Sequence, residues 1–347
     1  MIKIQVHLNR QYPDEYLDNI INDYWNNYLN PKKINGNYYQ TSLIELCRKY
    51  YKMTEENSYI VNYANNKKYI AKKHKQFFKY LTKYDCRELK RIIFAKPEEF
   101  DSIKSTVLNI LGKENFYTNN NGRITQTKFG ELLTKKIFKY SSFRSSNYCI
   151  NLYKLLGFKN CTCPYCNNSE VEIVYKVAST DEIAYFDLDH FYPKSQNPFF
   201  ALSFFNLIPS CKTCNSTLKG SKDFSISANI HPYYESFDYF YQFKVPIESF
   251  FTTKVNEIQI DTKVVKDHDE TLSNFNIKNR YENRKEKVEK LIRLYKNNQH
   301  RIDDFNEFII DTCDLPRNIS DILNKKNGKF LRDIALQLDE GHGRLRL

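Results

Sequence analysis

Apolar residues recur every three or four positions through most of the first 140 residues, which predicts helices at 13–29, 41–51, 63–94, 97–111 and 127–138. Residues 119–122 read as a loop between them, and residues 1–10 alternate as a short strand. In the 63–94 segment Ile70, Phe77, Leu81 and Tyr84 form one stripe, while Lys68, Lys72, Lys75, Lys79, Lys83, Arg87 and Lys90 recur on a second. Seven like charges at this spacing repel one another and gain no local ion pairs, so a phosphate-bearing partner such as DNA is the expected reason for the stripe. The plainer alternative is a solvated helix face.

Beyond a loop-rich centre, residues 237–265 contain alternating runs, Phe243-Lys244-Val245 and Ile258-Gln259-Ile260, that predict strands. Helical faces then return in three groups: Tyr281, Val288, Leu291, Ile292 and Tyr295; Ile302, Phe305, Phe308 and Ile309; Leu331, Ile334 and Leu338. Their expected role is packing within a small bundle. The pattern gives an α+β chain in three parts: a mostly helical, basic region at 1–155 that binds DNA or a partner, a centre at 156–235, and a strand-plus-helix region at 236–347.

Composition narrows the class. A chain of 347 residues can bury a sizeable core without disulfides or metals, so a metal site needs a local explanation. No stretch is apolar for long enough to span a bilayer and no leader pattern opens the sequence, which predicts a soluble, cytoplasmic protein. Nine unevenly spaced cysteines in that setting point to metal before disulfide. Cys47, Cys86, Cys149 and Cys313 stand alone and read as small buried apolar groups. The net charge of +12 is uneven: residues 1–160 carry 28 Lys+Arg against 14 Asp+Glu, residues 161–220 carry 4 against 6, and residues 221–347 carry 21 against 21. A basic segment joined to a mildly acidic centre suits a polyanion partner and a bound cation.

Two Cys-x-x-Cys pairs, Cys163-Pro164-Tyr165-Cys166 and Cys211-Lys212-Thr213-Cys214, offer the four thiolates that structural zinc prefers. The 44 residues between them exceed an ordinary zinc ribbon, so the metal would clamp the base of another structure. Four protein ligands leave no open position, which makes the role folding and not catalysis. Cys161, two residues upstream, is a competing ligand candidate, and redox-active cysteines are the alternative to zinc.

Inside that clamp lie Asp187-Leu188-Asp189-His190-Phe191-Tyr192-Pro193-Lys194-Ser195, then Asn206-Leu207-Ile208-Pro209-Ser210, then Cys214-Asn215. On a regular strand Asp189 and His190 point to opposite faces, but Pro193 ends the ladder just beyond them, so both can turn to one phosphate. Over about 163–222 these motifs resemble the HNH, or ββα-metal, nuclease superfamily. The wider pattern is similar to the PtuB-like HNH subunits of Septu-type anti-phage systems, which work beside an ATPase.

The resemblance implies a ββα-metal core and a metal-dependent endonuclease acting on DNA, with RNA as an alternative substrate. It makes His190 the general base and Asn206 the brace of the loop that carries it. It makes Asp189 and Asn215 the protein ligands of a catalytic magnesium or manganese ion, with Asp187 outside them. Lys194, Lys219 and Lys222 are candidate phosphate contacts, and His231 reads as a turn residue, with a return to the site as the alternative. The rival from another class is a zinc-stapled nucleic-acid-binding or scaffolding protein without activity.

Overall fold

A computed structural model describes residues 1–301 and 303–347. Ile302, counted above in a helical face, lies outside the described residues. The chain is mixed helix and strand, and its buried apolar side chains form one contiguous cluster that runs through all three sequence segments.

The N-terminal segment is helical at Pro13–Asp23, Leu43–Met53, Asn57–Tyr63, Lys68–Phe94, Phe100–Leu111 and Asn147–Leu155, with π-helical turns at Tyr24–Leu29 and Leu133–Ile137. Its start departs from expectation. Ile4–Leu8 is a helix and not a strand, because Ile2 and Ile4 are buried and this turn packs against the 3-10 helix Ile319–Asn324. Residues 119–122 form the tip of a hairpin between Tyr117–Asn120 and Arg123–Gln126, with Asn121 and Gly122 at positive φ.

The basic helix also departs from its prediction. It begins at Lys68, and Tyr84, Asp85 and Cys86 adopt left-handed backbone angles, splitting it into two helical pieces. The break lets Phe77, Phe78 and Leu81 before it and Leu89, Ile92 and Ile93 after it all face the core. The cationic stripe is therefore interrupted: Lys68, Lys72, Lys75 and Lys79 precede the break, Lys83 sits on it, and Arg87 and Lys90 follow. Lys75 is bound to Glu55.

In the C-terminal segment the predicted strands are Tyr241–Lys244 and Gln259–Thr262, paired antiparallel with Phe243 opposite Ile260. Helices Lys285–Asn297, Phe305–Cys313 and Gly328–Leu338 bury the faces read from the sequence: Val288, Leu291, Ile292, Tyr295, Phe305, Ile309, Leu331 and Ile334. The flanks grip the centre. Ser203 Oγ donates to Ile92 O at 2.6 Å, Tyr153 Oη donates to Leu207 O at 3.0 Å, and Tyr192 Oη donates to Asp101 at 2.8 Å. From the other side, the Asn167 carboxamide donates to Thr162 Oγ1 and to the carbonyls of Ile322 and Lys325, and accepts from Lys329 N–H.

Candidate functional site

Cys163, Cys166, Cys211 and Cys214 are buried, and their sulfurs lie within 4.8 Å of one another. Tetrahedral zinc with Zn–S near 2.3 Å sets its sulfurs about 3.8 Å apart, and Cys166 Sγ is 3.9 Å from Cys211 Sγ. These four residues could hold zinc. Arg280 Nη1 donates to Cys214 Sγ at 3.3 Å and Cys214 N–H donates to Cys211 Sγ at 3.4 Å, contacts that favour thiolate. Cys161 stays outside the cluster, on the strand Asn160–Thr162, where burial pushes its thiol up to about 12. Cys47, Cys86 and Cys149 are fully buried, while Cys313 is half-buried.

The clamp holds a two-stranded hairpin and one π-helical turn. Asp187–His190 pairs antiparallel with Leu207–Ser210, Asp189 opposite Ile208 and His190 opposite Leu207. The turn Thr213–Lys219 follows directly from the second knuckle and ends at Gly220, whose φ of +55° suits glycine. Between hairpin and turn opens a cleft of about 400 Å3. Tyr140, Arg144, Asp187, Asp189, His190, Lys194, Asn215 and Lys219 all line it.

His190 is 6% exposed. Its Nε2 lies 3.1 Å from Ala201 O. A carbonyl only accepts, so Nε2 carries the proton and Nδ1 keeps its lone pair. The Tyr140 ring meets the imidazole edge-on at 4.4 Å, anchored by its hydroxyl donating to Leu188 O at 3.1 Å. Burial, and then the charges of Lys194 and Lys219, hold His190 well below the ordinary imidazole range. It is neutral near pH 7, as a base must be.

Asn206 is fully buried and clamps the loop after His190. Its Oδ1 accepts Tyr192 N–H at 2.7 Å, its Nδ2 donates to Tyr192 O and Phe200 O at 3.1 Å each, and its backbone oxygen accepts Phe191 N–H.

The ligand set expected for a divalent cation is not open. Asp189 Oδ1 accepts Lys219 Nζ at 2.7 Å, and Oδ2 accepts the Tyr165 hydroxyl at 2.6 Å. Asn215 donates to Asp187 Oδ2 at 2.9 Å, and Ser216 Oγ donates to the same oxygen at 3.3 Å. Magnesium needs several hard oxygens with room for water around them, and the buried Asp189 carboxylate is engaged by donors of the chain itself. Lys219, expected as a phosphate contact, is held as the buried ion-pair partner of Asp189, because a carboxylate at this depth requires a counter-charge.

Lys194 lies over the Tyr140 ring at 4.0 Å, and burial lowers its pKa. Lys222 is exposed and does not line the cleft, nor do Lys68, Lys72, Lys75, Lys79, Lys83 or Arg87. His231 is buried 4.2 Å from the Phe191 ring, accepts Tyr233 N–H through Nδ1, and does not line the cleft. Sequence reasoning missed Tyr140, Arg144 and Tyr165. Tyr165 carried a signal, being enclosed within the first knuckle, whereas Tyr140 and Arg144 lie far upstream with no motif to mark them. Comparison with protein-family models, with curated proteins and with solved structures finds no match to this chain.

Proposed function

We propose that the cleft is the active site of an HNH-type phosphodiester hydrolase acting on nucleic acid, with DNA as the favoured substrate. The observation that carries this reading is His190 itself: one ring nitrogen is tied to Ala201 O and the other keeps its lone pair beside a cleft lined by Arg144, Lys194 and Lys219. In the proposed step His190 Nδ1 takes a proton from water and the water oxygen bonds to phosphorus. The bond to the 3′ oxygen breaks, and that oxygen takes a proton from solvent. The cationic lining stabilises charge on the phosphate oxygens. Asn206 and Tyr140 hold the base in place.

A role as effector of an anti-phage system beside an ATPase subunit belongs to the same proposal and is supported by the motif resemblance alone. One observation favours the rival reading of an inactive, zinc-stapled nucleic-acid-binding protein, namely the Lys219–Asp189 pair. Plasmid nicking by the wild type and by His190→Ala, with and without magnesium or manganese, separates the two. Cleavage that disappears with His190 supports the hydrolase, and DNA retention without cleavage supports the scaffold.

A further inference from the structure

The Asp189 carboxylate is neutralised from within the chain. Lys219 Nζ lies 2.7 Å from Asp189 Oδ1 and 2.5 Å from the backbone oxygen of His190, with the two side chains 1% and 2% exposed. On the far side the Tyr165 hydroxyl donates to Oδ2, and burial keeps that hydroxyl protonated.

Backbone geometry puts Lys219 there. The Thr213–Lys219 turn is wound as a π-helix, closed by Gly220 N–H to Asn215 O at 2.8 Å. Residues four apart on such a turn share a face, so Asn215 and Lys219 both reach the acidic strand, one to Asp187 and the other to Asp189. The ammonium also packs 5.0 Å from the Phe224 ring centroid. Displacing it would strand its buried charge and set a divalent ion against that same positive charge.

An ammonium has three N–H groups. Asp189 and His190 O take two of them, and among the described residues no third acceptor is present. Lys219 lines the cleft, where an entering phosphate oxygen would be the third acceptor.

We infer that Lys219 is the resident cation of this site, standing where the HNH pattern has a divalent metal ion, so that cleavage draws on the lysine and not on magnesium or manganese. The inference rests on the hydrolase reading above. The bond changes stay those already given, and Lys219 contributes charge to the bound phosphate while leaving the proton transfers to His190 and solvent.

Manganese electron paramagnetic resonance on zinc-loaded protein tests the assignment without relying on activity. Wild type should leave the signal of the free aquo ion at full amplitude. Lys219→Gln, which removes the charge and keeps polar bulk, should bind manganese, and Asp189→Asn in that background should abolish the binding. Manganese bound by the wild type and lost in Asp189→Asn would overturn the inference, and this arm needs no lysine variant to fold.

Cleavage in metal-depleted, chelator-free buffer is the second readout. The wild-type rate should change by no more than about twofold on adding magnesium, and Lys219→Gln should fall by about 10²–10³-fold without it, the usual loss for one charge-stabilising donor. A wild type that cleaves only with magnesium overturns the inference. A wild type that cleaves nothing under either condition counts against the hydrolase reading, and the resonance result still decides the role of Lys219.

Discussion

The Tyr165 hydroxyl donates to Asp189 Oδ2 at 2.6 Å, joining the middle of the first cysteine knuckle to the buried carboxylate of the cleft. The clamp and the cleft thus share a side chain.

Tyr165→Phe removes that hydroxyl and little else. Hydrogen bonds to charged groups contribute about 1.5–3 kcal/mol, so stability should fall by about that amount in denaturant titration. Zinc content should stay unchanged, because the ring, stacked on Phe275 at 4.5 Å, still fills its place. A loss of zinc in this variant would show that the ring position depends on the hydroxyl.

Removing one cluster cysteine, as in Cys211→Ser, should lower bound zinc and loosen the segment from Cys163 to Lys219, because metal binding and folding are coupled. Cys161→Ser should leave zinc content unchanged, since that sulfur is outside the cluster. Metal analysis with circular dichroism checks both. Equal zinc loss in the two variants would reassign the ligands.

Acid should destabilise the fold through histidines buried as neutral rings. Burial lowers His74 to about 4 and His231 to about 3, against 6.5 for free imidazole. The unfolded chain binds these protons first, so stability is full above pH 6.5 and is lost as pH falls toward the folded values. At pH 5 each ring should cost about 2 kcal/mol relative to pH 7.5. Unfolding free energies at the two pH values measure this, and a flat profile would mean that the rings are hydrated.

Much of this architecture is legible in the sequence. The Phe243 and Ile258–Ile260 runs mark the C-terminal strand pair, Val288 to Tyr295 mark a buried helix face, and the matched cysteine spacings mark the clamp. Other features depend on distant neighbours that no local pattern encodes. The alternation of Met1 to Arg10 fits a strand, yet burial against Ile319–Asn324 selects a helix. Lys219 looks like any lysine near a phosphate site until the π-helical turn folds it onto Asp189. Tyr140 is separated from His190 by 50 positions and meets it only through tertiary packing.

The partner proposal has its own check. Co-expression with an ATPase encoded beside this chain should yield a complex that survives mild salt, and recovery of the free chain alone would remove the partner from the account.

The central claim is that His190 acts as a base on a phosphodiester. Labelled DNA and RNA of one sequence, incubated with zinc-loaded wild type and with His190→Ala, test it most directly. The account expects cleavage by the wild type, faster on DNA, and a loss of about 10²–10⁴-fold in the variant with its zinc content and fold intact. Equal cleavage by the two proteins, or none by either while nucleic acid remains bound, would contradict it.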